Sequence, residues 1–279
     1  MNPAFQIQVT GLHLVDTSEC NLYLDLAADH LSLAVLENGN REFLTLEYFN
    51  VDYQDSFTQI RDILYSNEML RKTYRKVTIA YNFPESVLVP ETIYHRELNN
   101  LSLDMVYGYR KTGDSLAEPG TEWKLYYTYR VPAVLQQLMS QHFPYGVYWH
   151  FYSLLLKQWK MNGILEDDIA ELIFYPNKMV VALFTGGELK LVQTFEYETA
   201  EDVSYYLLNM SKQFGIDCEL VKLKVKGLID EQSSVFTELL KYFLYVELLD
   251  RPASFKYDDV FDEYPRHFFT PLFEMALCA

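Results

Sequence analysis

At 279 residues the chain is long enough to bury about 75% of the surface its unfolded form exposes, so it needs no disulfide or metal staples. With 49% apolar and 22% charged residues, 11 glycines and 10 prolines, it is neither collagenous nor low-complexity, and disorder is at most a minor component. The 39 acidic against 23 basic residues give a formal charge of −16, which repels a phosphate polyanion and argues against nucleic acid as a partner.

The first residues, MNPAFQIQVT, lack a positive segment followed by an apolar one. The longest uninterrupted apolar stretch, Met179 to Phe184, is far short of the roughly 20 residues of a membrane span. No membrane insertion and a cytoplasmic location are therefore expected. Asn21 to Ala27 and Leu31 to Leu36 then read as two strands joined by Ala28-Asp29-His30, and Phe43 to Phe49 continues the meander after Asn38-Gly39-Asn40. From Ser56 the period changes: Phe57, Ile60, Ile63 and Leu64 recur at helical spacing, with Asp55 or Ser56 as N-cap. The cluster Arg71, Lys72, Arg75, Lys76 reads as a solvated helix terminus, where cations complement the dipole. The buried-type strand Val77 to Tyr81 follows.

From Pro84 to about Val147 the pattern is different. Here lie Val87-Leu88-Val89, a loop from Thr112 to Thr121 with Gly113, Pro119 and Gly120, the Tyr-rich strand Leu125 to Tyr129, and a helix from Ala133 to His142. Tyr148 to Lys160 reads as a strand and a helix that buries Leu154, Leu155 and Trp159. The opening phrase then returns. Ala170 to Tyr175 and Met179 to Phe184 flank Pro176-Asn177-Lys178, and Leu189 to Phe195 follows the hairpin glycines Gly186-Gly187. Thr199 with Asp202 forms a capping-box-like helix start. Val203, Tyr206, Leu207, Met210 and Phe214 form the stripe, Gly215 suits the C-terminal cap, and Cys218 to Val225 closes the unit. Phe236, Leu239, Leu240, Phe243 and Leu244 make a further core-facing helix.

The order β-β-β-α-β thus occurs twice, at an interval too long for a solenoid, which predicts an α/β fold of two duplicated lobes. Such a lobe resembles those of the actin-like ATPase superfamily, which share the ribonuclease H-like layout. Nearest are its pilus-assembly and secretion-system scaffold members and an uncharacterised bacterial family, whose ending the tail from Phe268, FFTPLFEMALC, resembles. The resemblance implies a small subdomain inserted in the first lobe. The expected division is 1–83 plus 148–165 for that lobe, 84–147 for the insertion and 166–279 for the second lobe.

An ATPase of this superfamily needs a glycine-bearing turn in each lobe, because a Cβ blocks approach to the phosphates. It also needs an Asp in each lobe, to hold hydrated Mg²⁺ and orient the attacking group. Asp25 is present on the first strand, but Ala27 stands where glycine belongs. The second lobe offers Phe174-Tyr175-Pro176-Asn177, with neither Asp nor glycine, and the paired glycines of the adenosine side reduce to Gly227. A pseudo-ATPase without cofactor, catalytic residues or metal site is the expectation. The alternative is a divergent ATP-binding ATPase or small-molecule kinase using Asp25, Asn177, Lys178 and Gly227. A metal-dependent nuclease is a third reading, disfavoured because it needs several carboxylates converging around two metal ions and the net negative charge works against its substrate.

Other chemistries lack their motifs. Walker, GxSxG, HExxH and GxGxxG patterns are missing. Cys20, Cys218 and Cys278 have neither zinc nor disulfide spacing, and His142 and His150 lack helical metal-site geometry. The acidic runs Glu166-Asp167-Asp168 and Asp258-Asp259 with Asp262-Glu263 read as solvated faces. What stands out is the aromatic content, with 23 Tyr and 18 Phe. Tyr127 and Tyr129 share one face of a strand, and Tyr107 and Tyr109 alternate around Gly108. Partly exposed tyrosine suits an interface, so these four are candidates for binding a protein or peptide partner.

Overall fold

The computed structural model describes residues 2–109, 115–161 and 167–278. The chain divides into two compact units, one of Met1–Gln158, Ala253–Phe261 and Met275–Ala279, the other of Trp159–Pro252 and Asp262–Glu274.

In the first unit, β1 (Phe5–Gln8), β2 (Cys20–Leu26), β3 (His30–Glu37), β4 (Glu42–Asn50), β5 (Lys76–Tyr81) and, further along the chain, Val147–His150 form one sheet. β2, β3 and β4 are an antiparallel meander, whereas β5 pairs parallel with β2. Nearly every residue of these central strands is buried, the pattern of a sheet covered on both faces. The helix α1 (Ser56–Ser66) makes the crossover to β5 and buries Ile60, Ile63 and Leu64. Asp55 occupies its N-cap position without a side-chain capping bond.

A second, three-stranded sheet consists of β6 (Ser86–Pro90), β7 (Ser115–Gly120) and β8 (Leu125–Arg130), with β8 in the middle. Helix α2 (Asn99–Tyr107) lies between β6 and β7 in the chain and packs on this sheet. Thr128 and Arg130 of β8 reach that helix, the first at Asn99 and the second at Asp104 and the Asn100 carbonyl. α3 (Ala133–His142), β9 (Val147–His150) and α4 (Phe151–Met161) follow. A two-residue strand, Lys256–Tyr257, pairs parallel with β4.

The second unit repeats the arrangement. β10 (Ile169–Phe174), β11 (Lys178–Thr185) and β12 (Glu188–Glu196) form the meander, α5 (Ala200–Phe214) crosses over to β13 (Lys222–Gly227), and α6 (Ser234–Tyr242) leads to β14 (Tyr245–Leu248). The strand order β12-β11-β10-β13-β14 matches β4-β3-β2-β5-β9 of the first unit. Val203, Leu207 and Met210 of α5 pack into a core with Leu172, Val181 and Val225. The capping box is present: the Thr199 hydroxyl accepts from the Asp202 N–H at 3.2 Å, and the Asp202 carboxylate accepts from the Thr199 N–H at 2.9 Å. Gly186 and Gly187 both have positive φ, as a two-residue hairpin turn requires. α7 (Thr270–Cys278) ends the described chain.

The structure departs from the sequence-based reading in several places, among them Leu240 and Leu244, which are exposed, the second lying beyond the end of α6. The expected loop Thr112 to Thr121 contains β7. Pro119 is tolerated there because β7 is an edge strand, where a missing N–H breaks no inner ladder; Gly113 lies outside the described residues. Tyr107 and Tyr109 do not alternate along a strand, since Tyr107 ends α2 and Gly108 leaves it at φ 80°. β13 starts at Lys222 rather than Cys218, because the preceding residues turn, with Leu220 and Val221 donating to the Asp217 carbonyl. β1, α2, β14 and the strand Lys256–Tyr257 were unanticipated.

Candidate functional site

In an open sheet with parallel strands, ligands gather at the carboxyl ends of those strands. In the first unit these ends are Asp25-Leu26 of β2, Tyr81-Asn82 after β5 and His150 of β9, held level by the registers Leu26 to Tyr81 and Tyr81 to His150. Asp25 is 3% exposed. Its Oδ2 lies 3.2 Å from His30 Nε2 and accepts from Asn82 Nδ2 at 3.3 Å. His30 Nδ1 in turn meets Asp29 Oδ1 at 2.9 Å. His30 thus lies between two acids, with Asp25 facing one ring nitrogen and Asp29 the other. The ring stacks on Tyr48 at 5.4 Å between centroids. Burial, followed by Asp29 and Asp25, pushes the Tyr48 hydroxyl far above its ordinary pKa.

A second buried polar group sits beside the end of β9. Glu118 of β7 accepts from the His150 N–H at 2.8 Å, which ties the small sheet to the start of α4. The His150 ring donates from Nε2 to the Phe83 carbonyl at 3.0 Å and accepts at Nδ1 from the Tyr152 N–H, which makes it the neutral tautomer. Burial pushes the Glu118 carboxyl up to about 7 and outweighs hydrogen bonds from Ser153 and the His150 backbone; burial likewise lowers His150 to about 4.

These two shifts have opposite signs in stability. Native Glu118 holds a proton that the unfolded chain releases from pH 4.5, so its contribution falls as pH rises towards 7. Native His150 refuses a proton that the unfolded chain takes up below 6.5, so its contribution falls as pH drops towards 4. Glu118→Gln removes only the first. The stability of wild type minus that of Glu118→Gln is expected to decline by about 3 kcal/mol between pH 4.5 and 7 in chemical denaturation. A difference that stays constant over that window would contradict the assigned protonation states.

In the second unit the corresponding turn is Tyr175-Pro176-Asn177. The Tyr175 N–H donates to the Lys178 carbonyl at 2.8 Å, closing the hairpin, and Tyr197 clamps it through its hydroxyl on the Tyr175 carbonyl and its N–H on the Asn177 carbonyl. Lys178 is buried with its ammonium 5.2 Å over the Tyr175 ring, while Asn177 is exposed. Gly227 lies opposite Phe174 in the parallel register. It has φ 93°, and a Cβ there would fall 2.2 Å from the Phe174 carbonyl oxygen, so close strand approach explains the glycine. Asn177, Lys178 and Gly227 thus meet at the carboxyl end of one sheet.

One cluster had no counterpart in the sequence reading. Lys226, with no exposed surface, pairs with both Glu171 of β10 and Glu274 of α7, and Trp159 donates its indole N–H to Glu171. Burial opposes the charge on Lys226, but the two carboxylates outweigh it and hold its pKa above the ordinary lysine value. The sequence signal was Glu171 inside an otherwise apolar strand. An open depression between the starts of α5 and α6 is lined by Thr199, Glu201, Gln232, Thr237, Glu238 and Lys241. Its buried carboxylate, Glu238, is held by Lys241 at 2.5 Å and by the Ser204 hydroxyl at 3.2 Å.

The tyrosine candidates separate. Tyr127 is 1% exposed and Tyr129 is equally buried, which corrects the expectation that they present a partly exposed face. They do share a face, but it is the one turned away from α2 and into the core: the Tyr129 ring stands 4.6 Å from that of His150. Gly120 permits the packing of Tyr127, since a Cβ at that position would lie 2.5 Å from its ring. Tyr107 is half-buried and donates to the Ser86 carbonyl, whereas Tyr109 is 79% exposed. Among the described residues no group of three or more His, Cys, Asp or Glu could hold a metal, and no helix is long and apolar enough to cross a membrane. Glu166 of the first acidic run lies outside the described residues.

No curated protein matches the chain. Among solved structures it is similar to a protein of unknown function with an actin-like ATPase fold from Bacteroides thetaiotaomicron VPI-5482. That match has a TM-score of 0.75 at 17% identity, covering 84% of this chain and 91% of the other. It is also similar to a chain of the PilM-PilN type IV pilus biogenesis complex, with a TM-score of 0.56 at 12% identity over 92% of this chain and 96% of that one. At such identities the likeness establishes the fold, which is that of the actin-like ATPases. A family model described as "Protein of unknown function (DUF3822)" matches residues 12–246, and the chain, with its two repeated sheets, belongs to that family.

Proposed function

We propose that this protein is a pseudo-ATPase: an intracellular interaction or assembly protein that keeps the actin-like fold without its nucleotide chemistry. The observation that carries this reading is the commitment of Asp25. Mg²⁺ bound with a nucleotide, which the fold implies, needs accessible carboxylate oxygens and a backbone turn open to phosphate. Asp25 is instead buried, with His30 Nε2 3.2 Å from its Oδ2 and the Asn82 amide donating to the same oxygen. The second unit has no acid in its turn, and the Tyr175 and Lys178 side chains pack on each other there. Gly227 spends its conformational freedom on contact with Phe174. The residues present do not fit Mg-nucleotide, and no catalytic step is drawn through it.

In this reading residues 84–147 are an inserted subdomain that meets a protein or peptide partner, and Tyr109 is the one tyrosine of the four that is well placed to touch it. The similarity to a chain found in a complex with another protein supports this by analogy alone. Asp25→Ala takes from the buried Asn82 amide the acceptor Asp25 Oδ2 and is expected to lower stability by about 1–3 kcal/mol in urea denaturation. Unchanged stability would mean that Asp25 is not committed to His30 and Asn82, and would overturn the reading.

A further inference from the structure

The two repeated sheets are built alike but edged differently. In the first, β1 runs antiparallel along the outer side of β4, with Ile7 opposite Leu46 and Phe5 opposite Tyr48. In the second, β11 is the only strand paired with β12 among the described residues, so β12, the counterpart of β4, ends the sheet. A bulge fixes the correspondence residue by residue. Leu44 is the extra residue between the partners of Val35 and Leu36, and Lys190 is the extra residue between those of Leu183 and Phe184. Val192 therefore stands where Leu46 does, Thr194 where Tyr48 does and Glu196 where Asn50 does. The bulge does not itself bar a further strand, since β4 carries it and is covered.

The Tyr197 N–H donates to the Asn177 carbonyl. In that register Leu191, Gln193 and Phe195 turn their backbone groups to β11, and Val192 and Glu196 turn theirs to the outer edge. On the α5 side the Phe195 ring lies 4.8 Å from that of Tyr206, and Tyr205, 65% exposed, continues the aromatic row. Beyond the row, Glu196, Glu198 and Glu201 are all exposed.

We propose that the outer edge of β12 binds an extended segment of a partner protein, antiparallel, as β4 binds β1. Main-chain hydrogen bonds to Val192 and Glu196 hold the segment, and its side chains at alternate positions select it. The three glutamates, on a chain of charge −16, choose a basic residue opposite Glu196. The covered edge of the first sheet supplies the rest of the pattern: apolar residues two and four positions later, opposite Thr194 and Val192, as Phe5 and Ile7 lie opposite Tyr48 and Leu46.

This surface lies in the second unit, apart from Tyr109, and goes beyond the reading above. The probe is a synthetic peptide of residues 3–9 with Pro3→Lys, which sets lysine, phenylalanine and isoleucine opposite Glu196, Thr194 and Val192. Titrated into the isotope-labelled full chain, it is expected to shift the amide resonances of Val192 and Glu196 saturably, with a Kd of about 1 mM or tighter. The same peptide with Pro3→Glu is expected to bind about fivefold more weakly, and Glu196→Lys in the protein should reverse that preference. Glu196 is exposed, so this variant keeps the wild-type fold, which its amide spectrum reports directly. No saturable shift with either peptide, shifts confined to residues outside β12 and α5, or a preference left unreversed by Glu196→Lys would overturn the proposal. None of these results depends on nucleotide, so the pseudo-ATPase reading stands or falls separately.

Discussion

Lys226→Met is expected to destabilise the protein by about 3–5 kcal/mol, because it leaves the buried carboxylates of Glu171 and Glu274 without their cation. Removing the charges together, as Lys226→Met with Glu171→Gln and Glu274→Gln, should recover most of the stability. Urea denaturation followed by circular dichroism measures both the loss and the recovery. A single variant as stable as wild type at pH 8 would show that the triad does not hold β10, β13 and α7 together.

Tyr127→Ala is expected to cost about 3–5 kcal/mol, the range for emptying a large aromatic site in a core. Its ring fills the space that Gly120 leaves open, on the face of β8 that turns away from α2. Tyr109→Ala is the internal control. That side chain is exposed, and its removal should change stability by less than about 0.5 kcal/mol. Equal losses in the two variants would contradict the burial of Tyr127 and the exposure of Tyr109.

These tyrosines show how far the sequence could be read. Alternation identified Tyr127 and Tyr129 as sharing a face, because a strand has a period of two whatever surrounds it. It could not say which face is covered, since that depends on His150 and α4, far along the chain. The repeated meanders and crossover helices were legible for the same local reasons: periodicity, hairpin glycines and the Thr199 capping box. α2 was not, because Asn99, Ser102 and Asp104 look like punctuation. Its helix is held by contacts from Thr128 and Arg130 of β8.

The candidate site divides in the same way. The absence of glycine beside Asp25 and of acid near Asn177 was plain in the sequence. The contact of Asp25 with His30 was not, although the two are only five residues apart, because hairpin register brings them together on one face. Glu118 and His150 are 32 residues apart and Lys226 and Glu274 are 48 apart, distances at which no spacing rule applies. In both units polar groups buried near the strand ends, Asp25, His150 and Lys178 among them, contact other side chains or backbone. A scaffold can accept that arrangement, whereas an ATPase must keep such groups available to its substrate.

Calorimetric titration of the protein with Mg-ATP and Mg-ADP tests the central claim most directly. The account predicts no binding heat and no rise in melting temperature up to millimolar nucleotide, since a ligand that binds the native state must stabilise it. Saturable binding at micromolar nucleotide, lost in Asp25→Ala while that variant remains folded, would contradict it and restore an ATP-binding site to this fold.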